Sequence, residues 1–267
     1  MSSKIGIGII TCNRSHFFKE LIDSVPAVEE IVVVNDGVPY SNNLYPLRVN
    51  EIIQHKKNKG IARTKNDALR YLIDKSCNHI FLLEDDIAVK ESSIFEKYIR
   101  AGELSGIYHF NYAYHGISEN RTSDGKPNPR LVVDYGDGID IAFYRNTTAA
   151  LSYFRAEVLE KVGLIDTFYR NALEHVDHTY QIIKAGYHPP FRWFADLHDS
   201  NLLIRELDLL QNESLLKKNE KMLLYRAKFF GAYFRLKNGY RPSRVPSVDE
   251  KEIYKVLEQL KTRNKAI

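Results

Sequence analysis

Cysteine is almost absent from this chain: Cys12 and Cys77 are the only two among 267 residues. Neither has the paired spacing of a zinc site or a redox motif, so both are expected as small buried hydrophobes in a reducing cytosol. Long apolar runs are lacking as well. None approaches the roughly 18 residues that a membrane-spanning helix needs, and Met1-Ser2-Ser3-Lys4 runs straight into an apolar strand pattern instead of a signal peptide. Nor is there a large excess of one charge. Lys and Arg number 38 against 34 Asp and Glu, a formal net charge of +4, with the signs interspersed over most of the length. That pattern argues against a dedicated nucleic-acid binder. The lack of internal repeats and low-complexity tracts removes solenoids and propellers.

What is present has soluble globular proportions, 44% hydrophobic and 27% charged. The length suits one α/β domain with an extension. Ile5 to Ile10 is a short apolar run closed by Thr11-Cys12-Asn13-Arg14, after which Phe17, Phe18, Leu21, Ile22 and Val25 recur at helical spacing until Pro26. Ile31 to Val34 reads as a second buried strand ending in Asn35-Asp36-Gly37, and Ile52-Ile53 as a third. Ala62, Ala68, Leu69, Leu72 and Ile73 define a helix from about Ile61 to Lys75, followed by a fourth strand, His79 to Leu83, that Glu84-Asp85-Asp86 terminates. Ser93 and Glu96 have the spacing of a capping box. Ile107 to Arg145 reads as irregular structure with short strands. Helices near Ala156 to Val162 and Glu174 to Ala185 stop at Gly163 and Gly186, where left-handed caps are expected. His188 to Phe194 is expected to be extended. From Asn201 onward the chain turns Leu-, Lys- and Glu-rich, which places a boundary between residues 1–200 and a helical extension, 201–267. The expected fold class is therefore α/β, a mostly parallel central sheet with flanking helices.

In an open parallel sheet, ligands sit beyond the carboxyl ends of the strands. Here those ends carry Thr11 to Arg14, Asp36-Gly37 and Glu84-Asp85-Asp86. Arg14 brings charge for a diphosphate, and Asp36 offers acceptors to a base N–H or a ribose hydroxyl; Asn35-Asp36-Gly37 also reads as an ordinary turn. Three adjacent carboxylates repel unless a cation or hydrogen-bond donors compensate them. A divalent Mg2+ or Mn2+ on oxygen ligands fits that cluster. The alternative is a solvated acidic loop.

In order and spacing, Ile5 to Arg14, the Val-Val-Val-Asn-Asp-Gly segment ending at Gly37, Asn58-Lys59-Gly60-Ile61-Ala62-Arg63 with Asn66, and Phe81 to Asp86 resemble glycosyltransferase family 2 and its GT-A relatives, over roughly the first 200 residues. The Glu-Asp-Asp form is similar to the Asp-X-Asp variant of GT-A N-acetylglucosaminyltransferases, whose last acid binds the metal. The resemblance implies a Rossmann-like nucleotide-diphospho-sugar transferase fold and inverting transfer of a hexose or N-acetylhexosamine from a UDP-sugar to a glycan or glycoprotein hydroxyl. It implies that Thr11, Asn13 and Arg14 line the nucleotide pocket, that Asp36 reads uracil or its ribose, and that Lys59, Gly60 and Arg63 lie near the nucleotide and its phosphates. Asp85 would contact ribose or donor sugar and Asp86 the metal, with Glu84 also counted among the cofactor-binding residues. Val38 stands where the family commonly has Ser.

Glu174-His175-Val176-Asp177 precedes Gly186-Tyr187 at a spacing similar to that of the family's Glu-Asp acceptor motif, whose Asp is the catalytic base. His175 holds that place here. A neutral imidazole can accept a hydroxyl proton, and Glu174 and Asp177 are its rivals. On a helix Glu174, Asp177 and His178 adjoin on one face, with His175 about 100° away; His178 is expected as a surface residue. His198 resembles the family's late histidine that completes the metal or diphosphate site. Trp193 and Tyr108, Tyr112, Tyr114, Tyr135 and Tyr144 suit sugar stacking or a core.

Residues 215–244 hold nine Lys or Arg and one acid, Glu220, interleaved with Leu and aromatic residues. That combination suits an anionic membrane surface, a second subunit, or a cover for the domain's own core. The expected location is the cytoplasm, with contact at the inner face of the membrane under the first reading. Two other classes stay open. A sugar nucleotidyltransferase would carry a Gly-rich phosphate loop after the first strand, whereas Gly6-Ile7-Gly8 lies inside it; a noncatalytic sugar-binding or assembly subunit follows if His175 marks a lost base.

Overall fold

The N-terminal apolar run forms β1 (Ile5–Thr11), and α1 (Ser15–Ser24) after it buries Phe17, Phe18, Leu21 and Ile22. β2 (Glu30–Asn35) and β3 (Glu51–Gln54) precede α2 (Ile61–Asp74), which leads to β4 (His79–Glu84). A short β5 (Ile87–Val89) stands before α3 (Ile94–Ser105). The stretch expected to be irregular contributes β6 (His109–Asn111), β7 (Leu131–Asp134) and β8 (Asp140–Tyr144). Then come β9 (Leu151–Arg155), α4 (Ala156–Val162), α5 (Glu174–Ala185), β10 (Phe194–Leu197), α6 (Ser200–Leu203), β11 (Ile204–Glu206), α7 (Glu220–Asn238) and α8 (Ile253–Asn264). This computed structural model describes residues 3–114, 118–208 and 220–264; residues 215–219 of the basic stretch lie outside the described residues.

The central sheet runs β3-β2-β1-β4-β9-β6. The first four strands are parallel, and β9 is antiparallel to both β4 and β6. It is the mostly parallel α/β sheet expected. Successive side chains of a strand point to opposite faces, and β2 divides accordingly. Ile31 and Val33 join one core with Phe18 of α1 and Phe95 of α3, while Val32 and Val34 join another with Leu69 and Leu72 of α2. Gly6 and Gly8 let α2 come close to β1: a Cβ on Gly8 would lie 2.8 Å from that of Ala68.

The C-terminal segment packs on this unit. β11 pairs antiparallel with β5, and Ile253, Leu257 and Leu260 of α8 share the core of α3. Phe230 and Phe234 of α7 cluster with Tyr169, Phe191 and Phe194, so part of the basic stretch does cover the protein's own core.

Several local expectations are corrected. Ser93 sits at the N-terminus of α3 but its side chain makes no capping bond. Gly186 ends α5 in the left-handed region, whereas Gly163 ends α4 at φ 83° and ψ −173°, which is open to glycine but is not a left-handed cap. His188 to Phe194 is not one extended run: residues 191–192 turn, with Arg192 at φ 74°, and the strand begins only at Phe194. Cys77 is buried as expected, but Cys12 is half-buried. Among the described residues no helix is long and apolar enough to cross a membrane.

Candidate functional site

Strand register brings the polar termini level. Thr11 stands opposite Asn35 across β1 and β2, and Ile10 opposite Glu84 across β1 and β4. The segments after β1, β2 and β4 therefore leave the sheet along one edge. Asp85 is the buried centre. Its Oδ2 accepts the Thr11 hydroxyl at 2.6 Å, and its Oδ1 is engaged by the Arg14 guanidinium, which also reaches Asp86 Oδ2 at 3.3 Å. The Tyr40 hydroxyl accepts the Arg14 backbone N–H at 2.9 Å; since the Thr11 proton goes to Asp85, Tyr40 donates its own to Thr11 Oγ1 at 2.8 Å. Burial pushes the Asp85 carboxyl up to about 7, with Asp86 adding to the rise and Arg14 and Thr11 opposing it. Of the pair, Asp86 is the one a ligand can reach, at 14% exposure against 1% for Asp85.

Lys65 was not singled out in the sequence, and it completes the charge balance. Its ammonium is buried on α2, 2.8 Å from Glu84 Oε1 and 3.7 Å from Glu174 Oε1. Glu84 and Glu174 hold it protonated against the opposing effect of burial. A signal was present: Lys65 falls three residues after Ala62 and three before Ala68, on the apolar side of the helix. Arg14 and Lys65 thus supply, from within the chain, part of the compensation that the acid triplet was expected to need from a cation or hydrogen-bond donors.

α5 begins at this network. Glu174 Oε1 lies 3.4 Å from His175 Nδ1, and His175 Nε2 donates to the Thr147 carbonyl at 3.0 Å. Burial alone would raise the Glu174 carboxyl, yet the His175 hydrogen bond and charge, with Lys65, bring it down to about 2 from 4.5. A depressed carboxyl adds stability that is complete above its unfolded value and disappears as pH falls through the folded one. Glu174→Gln is therefore expected to flatten the fall of the thermal midpoint between pH 4.5 and about 2, as followed by circular dichroism.

Other expected site residues are placed differently. Asp36 is buried, and its carboxylate accepts from His55 Nδ1 at 2.6 Å, Lys59 N at 2.7 Å and Gly60 N at 2.9 Å. It fixes the loop before α2, and three donors of its own chain occupy it where a base or ribose was expected. Asn13, at φ 58°, accepts the Val38 N–H at 2.8 Å and ties the β1 and β2 termini together. Lys59 and Arg63 line a cleft of about 590 Å³ with Lys57 and Arg170, which none of Glu84, Asp85 or Asp86 lines; two residues from Lys65 on α2, Arg63 projects from another side of the helix.

Asp177 is also committed. Lys237 Nζ at 2.7 Å, Asn238 Nδ2 at 2.9 Å and the Tyr169 hydroxyl at 3.3 Å all donate to it, and the first two clamp α7 onto α5. Asp177→Asn is expected to cost about 2 kcal/mol and lower the melting midpoint while turnover of the folded protein is unchanged; a loss of turnover without a loss of stability would return Asp177 to the chemistry. His178 is not a surface residue: it is buried, donates from Nε2 to the Gly163 carbonyl at 2.9 Å, and burial lowers its basicity.

His198 follows β10 beside Asp199, which pairs with Lys97 of α3 at 2.7 Å. His198 N–H donates to the Asp140 carbonyl at 2.9 Å, and further on Leu207 N–H donates to the Asp86 carbonyl at 2.8 Å. Among the described residues no three His, Cys, Asp or Glu side chains gather as a metal cage. Of the acids here, the partly exposed Asp86 carboxylate is the one that could hold a hard divalent ion whose other ligands came from a bound molecule. Tyr108, Tyr112, Tyr144 and Trp193 are core residues; Tyr114 and Tyr135 are partly buried.

Fold and site together define an α/β protein whose parallel strands present a buried arginine–carboxylate cluster at their carboxyl ends. No protein-family model and no curated protein matches the sequence. Among solved structures, S. aureus TarS overlays with a TM-score of 0.48 at 14% identity, covering 67% of this chain and 33% of that one, or 55% of its 1–349 form. The mannosyltransferase PcManGT from Pyrobaculum calidifontis, in complex with GDP-Man and Mn2+, overlays with a TM-score of 0.49 at 12% identity, covering 69% of this chain and 53% of that one. The chain thus spans a third to just over half the length of these proteins.

Proposed function

We propose that this chain is a metal-dependent inverting glycosyltransferase that moves a hexose or N-acetylhexosamine from a UDP-sugar to a hydroxyl of a glycan or glycoprotein. The observation that carries the proposal is the Thr11–Asp85–Arg14–Asp86 cluster at the carboxyl edge of the parallel sheet, the place where such sheets bind nucleotides. The uridine, the sugar class and inversion rest on the motif resemblance. In this reading residues 1–200 carry the chemistry and 201–267 an accessory role.

The acceptor oxygen attacks the anomeric carbon, the bond from that carbon to the diphosphate breaks, UDP leaves with the electron pair, and the acceptor proton passes to a base. Asp86 would hold the Mn2+ or Mg2+, which when bound supplies electrostatic stabilisation of the departing diphosphate. Arg14, once drawn from the carboxylates toward the phosphates, adds a second positive charge at the leaving group. Glu174 is the base in this scheme. Asp177 is held by its donors and His175 directs Nε2–H to the Thr147 carbonyl, whereas Lys65 and His175 keep the Glu174 carboxylate ionised and in place. Such a base stays ionised throughout the neutral range, so the rate should be flat there; a rate that falls as an imidazole titrates would move the base to His175.

The test is a panel of nucleotide sugars with manganese. UDP and free or transferred sugar are expected products. Pyrophosphate formed from UTP and a sugar phosphate would identify a nucleotidyltransferase instead, and silence across the panel would leave a noncatalytic subunit.

A further inference from the structure

α7 carries apolar side chains on two faces. Phe230 and Phe234 turn inward, but Tyr225, Phe229 and Leu236 remain 69%, 52% and 85% exposed. With Ala232 they fall at spacings of four, three and four residues, which draws one stripe along the outer side of the helix. A surface helix normally shows a polar outer face, and exposed apolar patches of this kind mark interaction sites.

Along α7 and the segment after it the charge has one sign. Lys228 and Arg235 run along its flank, Arg241 and Arg244 follow the helix, and no Asp or Glu occurs from 221 to 248. The surface continues beyond α7. Phe229 stacks on the exposed Phe168 at 5.9 Å, and Phe168 lines the same 590 Å³ cleft as Lys57, Lys59, Arg63 and Arg170. Asp166, the one acid lining that cleft among the described residues, is engaged by Lys237 at 2.8 Å, and Lys59 pairs with Asp67 at 3.3 Å.

We propose that this face docks on an anionic lipid bilayer, with the α7 stripe in the headgroup region and the flanking cations against acidic headgroups. Charge decides between the occupants. A two-fold contact with a second copy would set Lys228 and Arg235 against basic residues of the same face. A soluble polyanion satisfies the cations but gives the Tyr225, Phe229 and Leu236 side chains nothing apolar to enter.

Flotation of the full chain with vesicles is the test. Binding is expected to vesicles of phosphatidylcholine with phosphatidylglycerol, to weaken with salt, and to be lost on phosphatidylcholine alone. Lys228→Glu with Arg235→Glu should weaken it roughly thirtyfold or more. Leu236→Ser should weaken it at low salt too, with the thermal midpoint unchanged in both variants because the side chains are exposed. The proposal is overturned by equal flotation with neutral vesicles, by no flotation at all, by full binding of Leu236→Ser, by retention on soluble polyphosphate without flotation, or by a dimer in sedimentation that Leu236→Ser dissociates.

Discussion

Lys65→Met is expected to lower the stability of the fold by roughly 3–5 kcal/mol, the usual consequence of removing one partner of a buried ion pair. The ammonium is 2% exposed and faces two carboxylates, Glu84 at 2.8 Å and Glu174 at 3.7 Å. Without it, Glu174 loses the buried ammonium that faces it, and its carboxyl rises from the depressed value it holds in the intact protein. The stability lost should therefore grow as pH rises through the carboxylate range. Adding Glu174→Gln to Lys65→Met should recover part of the loss, because the uncompensated charge goes with it. Urea midpoints of the four proteins close the cycle, and a coupling of about 1 kcal/mol or more is expected. Additive losses would mean that the two residues act on the fold separately.

Asp86→Ala should lower metal-dependent turnover roughly 10²–10⁴-fold, the range that several kcal/mol of leaving-group stabilisation represents, while the fold survives. The contrast with Asp85 is the reason. Asp85 is the inner residue, tied to Thr11 and Arg14, and its loss would strand both. Asp86 is more exposed and shares Arg14 with Asp85. Its removal should leave the melting midpoint within a few degrees of the parent, so that a loss of turnover reports on chemistry. Unchanged activity in this variant would remove Asp86 from the metal-binding role.

The strands and helices were legible because local patterns carry them: the runs before Thr11, Asn35 and Glu84 alternate between two cores, and Ala62, Ala68, Leu69 and Leu72 mark the buried side of α2. The level edge of β1, β2 and β4 followed from topology, since parallel strands end together. Partners distant in sequence were not legible. Arg14 lies 71 residues from Asp85, and Lys237 lies 60 from Asp177, separations that no periodicity reports. For that reason the sequence showed neither the hold of Lys237 and Asn238 of α7 on Asp177 nor that of the loop donors His55, Lys59 and Gly60 on Asp36. The turn at Arg192 escaped because a positive φ at an arginine has no compositional mark. Lys65 was readable in retrospect, as a charge on a helix face otherwise apolar.

The central claim is that the strand-edge cluster binds a nucleoside diphosphate together with a divalent ion held by Asp86. Titration calorimetry of UDP against the parent and Asp86→Ala, with and without manganese, tests it most directly. Tight binding is expected only in the parent with manganese, weakened roughly tenfold or more by removing the ion or the carboxylate, a difference of at least about 1.4 kcal/mol. Equal affinity in all four titrations, or no UDP binding in any of them, would contradict the account.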